Sequence, residues 1–182
     1  MKPYETIKSS ITYRGQIVDV KQDIIALPNG NSACREVVIR GPAAAILPVD
    51  DNGNVILVRQ YRHPITKMSL EIPAGVLDEG ESDPKSCAIR ELEEETGLKA
   101  GSVNFLMKIH TTIGFCTEEI YIYLARGLTE GQTCYDDEEF IEIEKYTLHE
   151  AVSKIFSGEI TDSKTIAALL AYISHTKSED DE

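Results

Sequence analysis

The amino-acid sequence predicts an α/β protein, a mixed sheet sandwiched by helices and preceded by an N-terminal β segment. Three observations carry this reading. β-Branched and apolar runs punctuated by turn residues fill the first half of the 182-residue chain. A well-capped helix follows at about 84–96, and two more helices close the chain after a further set of strands. Strands first, then a helix, more strands and terminal helices is not the regular alternation of a doubly wound fold. The length suits one domain with an appendage. Residues 1–40 read as the N-terminal β segment, 41–176 as the main domain, and 177–182 (KSEDDE) as a short, frayed acidic tail.

Taken in order, residues 16–26 (QIVDVKQDIIA) are mostly apolar, and Pro28-Asn29-Gly30-Asn31 is a turn signal before REVVIR at 35–40, which predicts a hairpin or small sheet. Two apolar runs, 43–49 and 54–59, flank Asp51-Asn52-Gly53 and predict a second hairpin. SLEIPAGV at 69–76 reads as a strand. The first helix has Asp83 as N-cap, Pro84 at its first position and Gly97 just past its end. Strands are expected at 102–109, 119–125 and 139–147, then helices at about 148–157 and 163–175, the last with Asp162 as N-cap and IAALLAYI as its buried stripe.

Composition narrows the function. The chain is 42% hydrophobic, enough for a core, with 8 Tyr and 4 Phe and no Trp. Its net charge of −13 argues against a nucleic-acid partner, because phosphate binding requires a basic surface. An anionic substrate would need something to offset that field, and a divalent metal is the obvious agent. The start, MKPYETIKSS, has no apolar signal core, and no run approaches the ~20 apolar residues of a membrane span. The expected location is the cytoplasm. Cys34, Cys87, Cys116 and Cys134 are scattered, without metal-ligand spacing, and read as free thiols of a reducing compartment.

The distinctive stretch is RELEEETG at 90–97, with Glu91, Glu93, Glu94 and Glu95 in one helix. Like charges at helical spacing repel. With Glu91 at zero, Glu95 lies about 40° round the helix axis and Glu94 about 60° the other way, so these three share a face and Glu93 points away. Ala88, Ile89 and Leu92 supply an apolar strip, and Arg90 stands four residues before Glu94. A solvated acidic face is the ordinary reading of such a cluster. Against it stand the lack of interleaved lysines and the acid-bearing loop PAGVLDEGES just ahead. Hard cations such as Mg2+ take several carboxylate oxygens and leave positions for water and phosphate. The segment makes sense as a metal clamp for phosphate chemistry.

Gly75, Glu81, Arg90-Glu91-Leu92, Glu94-Glu95 and Gly97-Leu98 resemble the box of the Nudix hydrolase family, with one residue more than usual between Glu81 and Arg90. The extra residue falls around Ser82 or Asp83, leaves the helix ligands intact and leaves the placement of Glu81 open. VRQYRHP at 58–64, EIPAG at 71–75, the IGFCTE segment and the acidic EEFIEIE segment are similar to the ADP-ribose pyrophosphatase and nucleoside-diphosphate-sugar branch. The resemblance implies an α/β/α sandwich whose N-terminal β segment builds a homodimer. It implies Mg2+, or Mn2+, on the Ala74 carbonyl, Glu91 and Glu95, with Glu94 bound directly or through water and Arg90 orienting the acids. It implies substrate contacts from Arg59, Arg62, Glu71 and Glu118, and a general base from the loop of Asp136-Asp137-Glu138-Glu139, with Glu139 first and Glu138 in reserve. Ordinary ion pairs, surface acids and a solvated loop are the competing readings of these single residues.

The activity so implied is metal-dependent hydrolysis of the diphosphate of ADP-ribose or a related nucleoside diphosphate sugar, giving nucleoside monophosphate and sugar phosphate. Ile113 stands where many ADP-ribose enzymes carry proline, which raises GDP-mannose and other nucleotide sugars beside ADP-ribose. An inactive nucleotide-sugar-binding regulator is the competing class, and the complete set of Glu91, Glu94 and Glu95 argues against it. A hydrolase of dinucleoside polyphosphates or oxidised nucleotides is a third reading, disfavoured by the presence of residues 1–40.

Overall fold

A computed structural model describes residues 3–131 and 140–180, with side chains as far as 176. The chain forms two compact units, one of Met1–Pro42 with His110–Glu119, the other of Ala43–Ile109 with Ile120–Glu182.

In the first unit, β1 (Glu5–Arg14), β2 (Asp19–Ala26) and β3 (Ser32–Ile39) make an antiparallel sheet in that order. The predicted turn joins β2 to β3 in a register running from Asp19↔Ile39 to Ala26↔Ser32. Gly30 takes φ +83°, a conformation that costs glycine little, and its N–H donates to the Leu27 carbonyl at 3.0 Å. Strand β1 escaped the sequence reading. Its Ile7, Ile11 and Tyr13 alternate in sequence, but register shifts between Thr6 and Lys8 and between Ile11 and Tyr13 break the face, and every residue of β1 is exposed, so no burial pattern marks it. The 110–119 segment joins this unit through Val38, whose N–H donates to the Phe115 carbonyl at 2.7 Å while its carbonyl accepts from Thr117 N at 3.0 Å.

The second unit holds two sheets. Strands β4 (Ala43–Pro48), β5 (Asn54–Arg62), β6 (Lys67–Glu71), β7 (Ala74–Val76), β8 (Leu98–His110), β9 (Glu119–Glu130) and β10 (Glu142–Thr147) assemble as β7-β4-β9-β8 and β10-β5-β6. The first sheet is mixed, since β4 runs parallel to β9 and antiparallel to β7. Two expectations change here. The runs at 43–49 and 54–59 do flank a tight turn, but they meet only at the Val49–Val55 bridge and then part into different sheets. SLEIPAGV is not one strand. Ile72-Pro73 divides it into β6 and β7, because proline has no N–H for a ladder, while the Pro73 carbonyl accepts from Ile46 N at 2.9 Å.

Strand β4 is buried throughout and serves both layers. Ala44 and Ile46 pack with Cys87, Ala88 and Leu92 of α1 (Pro84–Thr96). Ala43, Ala45 and Leu47 face the opposite cluster, with Leu57 of β5, Leu70 of β6, Ala151 of α2 (Leu148–Phe156) and Leu169 of α3 (Ser163–Asp180). A sheet covered by helices on both faces is the predicted α/β/α arrangement. Each fully buried Leu or Ile here contributes about 1.5–3 kcal/mol. Helix α2 starts on a capping box of Thr147 and Glu150, and α3 runs on to Asp180, through part of the stretch read as a tail. Among the described residues no helix is long and apolar enough to cross a membrane.

Candidate active site

The acidic helix starts and stops where its sequence dictates. Asp83 is extended, and its carboxylate accepts from Lys85 N at 3.1 Å and Ser86 Oγ at 2.7 Å. Gly97, at φ 67°, closes the helix with its N–H on the Glu93 carbonyl at 2.8 Å. Cys87, Ala88 and Leu92 set the buried face, whereas Ile89 is 41% exposed and does not belong to the predicted apolar strip. Burial then sorts the glutamates. Glu91 and Glu95 are buried, Glu94 is half-exposed beside them, and Glu93 leaves the cluster to meet Lys99 Nζ at 3.1 Å.

Arg90 gathers the acids. Its guanidinium lies 2.7 Å from Glu91 Oε1, 2.8 Å from Glu94 Oε2, 3.6 Å from Glu81 Oε2 and 3.7 Å from Asp78 Oδ2. Burial works against its charge, but Glu91 and Glu94 outweigh it and raise the guanidinium pKa. Despite the extra residue in the loop, Glu81 reaches this cluster, and its Oε2 also accepts from Asp78 N at 3.1 Å.

Gly75 is the seat of Glu91. A Cβ there would stand 1.9 Å from Glu91 Oε1 and 2.2 Å from its carboxyl carbon. Only glycine lets the carboxylate lie on strand β7, whose register sets Ala74 opposite Ala45 and Gly75 opposite Ala44. A buried carboxylate is expensive unless a cation or hydrogen bonds meet it, and here several share one guanidinium. The candidate donors are hard oxygens: the Glu91, Glu94 and Glu95 carboxylates, with the Ala74 carbonyl expected from the sequence. This set fits Mg2+ or Mn2+. Among the described residues no three acid, His or Cys side chains are already gathered round an ion position. Arg90 holds Glu91 and Glu94 instead. The Cys87 thiol, on the buried face of the same helix, is pushed up to about 12 by burial, with the Glu91 charge adding to it.

The other expected residues fall into separate groups. Arg62 chelates Glu71, Nε to Oε1 at 2.8 Å and Nη2 to Oε2 at 2.7 Å. Lys164 Nζ sits on the same Oε2 at 2.6 Å and 3.1 Å from Asp162 Oδ2. Burial pushes the Glu71 pKa up, but Arg62 and Lys164 prevail and hold it at about 2. The Arg62 pKa is raised first by the Glu71 bond, against burial, and further by the charges of Glu71, Glu95 and Asp162, so this cluster and α1 feel each other. Arg59 is held by Glu144 and, at 2.9 Å, by Glu159, tying β5 to β10 and to the connection that follows α2. Glu118 belongs to the first unit and meets Arg40 Nε at 2.5 Å. Glu138 and Glu139 lie outside the described residues.

Sequence reasoning missed Lys164. The signal was present, since a lysine in the first turn of a helix opposes the helix dipole and here sits next to a buried stripe.

Residues 39–169 match the family model described as NUDIX domain. The chain is 38% identical over 167 residues to the methanol dehydrogenase activator of Bacillus methanolicus, covering 91% of this chain and 90% of that one. It is 37% identical over 167 residues to the ADP-ribose pyrophosphatase of Bacillus subtilis (strain 168), with the same coverage. It is 36% identical over 153 residues to a GDP-mannose pyrophosphatase of Yersinia enterocolitica, covering 78% of this chain and 79% of that one. A solved structure described as an ADP compounds hydrolase superposes with a TM-score of 0.88 at 22% identity, over 98% of this chain and 97% of the other. That match is one of fold, and it agrees with the sandwich described above. A family model over residues 39–169, relatives this similar over most of the length, and a glycine-seated glutamate on an acidic helix lead to one statement: the chain belongs to the NUDIX domain family and is a hydrolase.

Proposed function

We propose that the chain hydrolyses the diphosphate bond of ADP-ribose or a related nucleoside diphosphate sugar, releasing nucleoside monophosphate and sugar phosphate. The observation that carries this reading is the seat of Glu91 on Gly75, within a cluster whose acids outnumber the one guanidinium among them. Ala74 (through its carbonyl), Glu91 and Glu95 would hold Mg2+, with Glu94 bound directly or through water. Such an ion, when bound, would supply charge neutralisation of the diphosphate and Lewis acidity for an attacking water. Glu139, or Glu138, takes the proton of that water as it attacks phosphorus, the bridging P–O bond breaks, and the leaving phosphate carries off its oxygen. Arg90 orients the carboxylates, and Arg59, Arg62, Glu71 and Glu118 are the proposed substrate-side residues. The exposed Ile7, Ile11 and Tyr13 of β1 support a homodimer built by residues 1–40.

GDP-mannose is the second reading. It is favoured by Ile113, exposed in the 110–119 segment where ADP-ribose enzymes often have proline, and by the similarity to a GDP-mannose pyrophosphatase.

A panel of ADP-ribose, GDP-mannose, UDP-glucose, diadenosine polyphosphates and NADH, with Mg2+ and with chelator, tests both. Turnover of a nucleotide sugar that chelator abolishes is expected. Chelator-resistant turnover, or activity confined to dinucleoside polyphosphates, refutes the proposal. Glu95→Gln should lose about three orders of magnitude in rate, ~4 kcal/mol at 1.36 kcal/mol per tenfold. Glu93→Gln, paired with Lys99 away from the cluster, should stay within about twofold.

A further inference from the structure

Lys164 is out of place by two ordinary measures. Its side chain is only 9% exposed, and an ammonium is costly to bury. It also stands in the first turn of α3, where the helix dipole repels a cation. An apolar side chain of similar length would avoid both penalties. What the lysine does gain is Glu71, 2.6 Å away, and Asp162, 3.1 Å away. Asp162 is itself fixed as the cap of α3, accepting from Thr165 N at 3.0 Å and Thr165 Oγ at 2.5 Å. The Thr165 hydroxyl in turn accepts from Ile72 N at 2.9 Å. The first turn of α3 is thus stitched to the chain at Glu71-Ile72.

Arg62 holds Glu71 as well and shares its Oε2 with Lys164. Its Nε and Nη2 are spent on the carboxylate, and its side chain is 41% exposed. A glutamate bound to one arginine largely cancels its charge. A glutamate whose Oε2 is shared with a buried ammonium cancels less of it, and the shared carboxylate also fixes the plane of the guanidinium.

We propose that Lys164 is a positioning residue. Through Glu71 it orients Arg62 and keeps its cationic character available, so that the exposed part of the guanidinium can receive an anionic oxygen of the diphosphate or of the sugar phosphate. This rests on the diphosphate hydrolysis proposed above and adds to it a residue of the substrate-binding apparatus that touches no substrate.

A double-mutant cycle on the full chain tests it, with Lys164→Met, Arg62→Ala and the pair. For each protein KM and kcat are measured with ADP-ribose and GDP-mannose, Kd is measured for ADP without added metal, and the thermal midpoint is recorded. Lys164→Met is expected to raise KM about tenfold with kcat within about threefold. The double variant is expected to be no worse than Arg62→Ala, because the lysine acts through the arginine. Penalties in KM and Kd that multiply in the double variant, or an unchanged KM in Lys164→Met, overturn the proposal. A lower midpoint alone, with KM unmoved, marks a purely structural ion pair and also overturns it. If Lys164→Met does not fold, Lys164→Gln is judged by the same criteria. If the wild type turns over neither nucleotide sugar, the functional reading falls by itself and the cycle is decided on Kd for ADP. Absence of ADP binding in the wild type then overturns the positioning role as well.

Discussion

Gly75 and Arg90 do the sorting among the acids. Without a side chain at 75, Glu91 lies directly on the backbone of β7, and Arg90 draws Glu91 and Glu94 onto one guanidinium. Gly75→Ala is therefore a sharp test, because the methyl would occupy the place of the Glu91 carboxylate, and the backbone at 75 needs no left-handed conformation to explain the glycine. We expect activity to fall at least about a hundredfold, and stability by about 1–3 kcal/mol for an overpacked site. Wild-type turnover in that variant would remove the seat from the argument. The glutamates were legible from angular spacing alone, as Glu93 shows by pairing with Lys99 away from the rest. Ile89 was misjudged for the same reason, since spacing places a residue on a face but does not say where the buried face ends. The grip of Lys164 on Glu71 could not be read either, because those residues lie far apart in sequence and nothing local ties one to the other.

At the level of elements, caps and turns were the most readable features. Asp83, Pro84 and Gly97 bound α1 as their chemistry requires, and Thr147 with Glu150 does the same for α2. Strand partnership was less readable. The turn at 50–53 looks like that of a hairpin, yet β4 and β5 part, because which sheet a strand joins is decided by partners such as β9 and β10 that come much later in the chain. Strand β6, β5 and α3 meet at Glu71, and that junction has a pH signature. A carboxylate held at about 2 in the folded chain, against an ordinary 4.5, stabilises the fold fully above pH 4.5. That stabilisation, about 3 kcal/mol, is lost as pH falls through about 2. Urea unfolding of wild type and Glu71→Gln from pH 6 to pH 2.5 should show the wild-type advantage shrinking below pH 4.5. An advantage that does not change with pH would place the acid sensitivity elsewhere.

Over the whole molecule, the net charge of −13 opposes an anionic diphosphate, and the metal in the proposed mechanism would offset that field. The order of strands and helices carried the fold class, and a TM-score of 0.88 at 22% identity shows how little of that class depends on particular side chains. The parallel pairing of β4 with β9 has a consequence in time. It joins residue 43 to residue 120 and residue 48 to residue 125, whereas β1 pairs with β2 and β2 with β3, each with its immediate successor. Long loops must close before distant pairs bring any gain, so such sheets form late. On a chain emerging from the ribosome the N-terminal meander can zip up early, while the central strand of the hydrolase waits for more than half of the protein to be made. In pulsed hydrogen exchange during refolding, protection should reach β2 and β3 before β4. Simultaneous protection would mean instead that the meander has no independent life, and that synthesis must run to β9 before any part of the fold is secure.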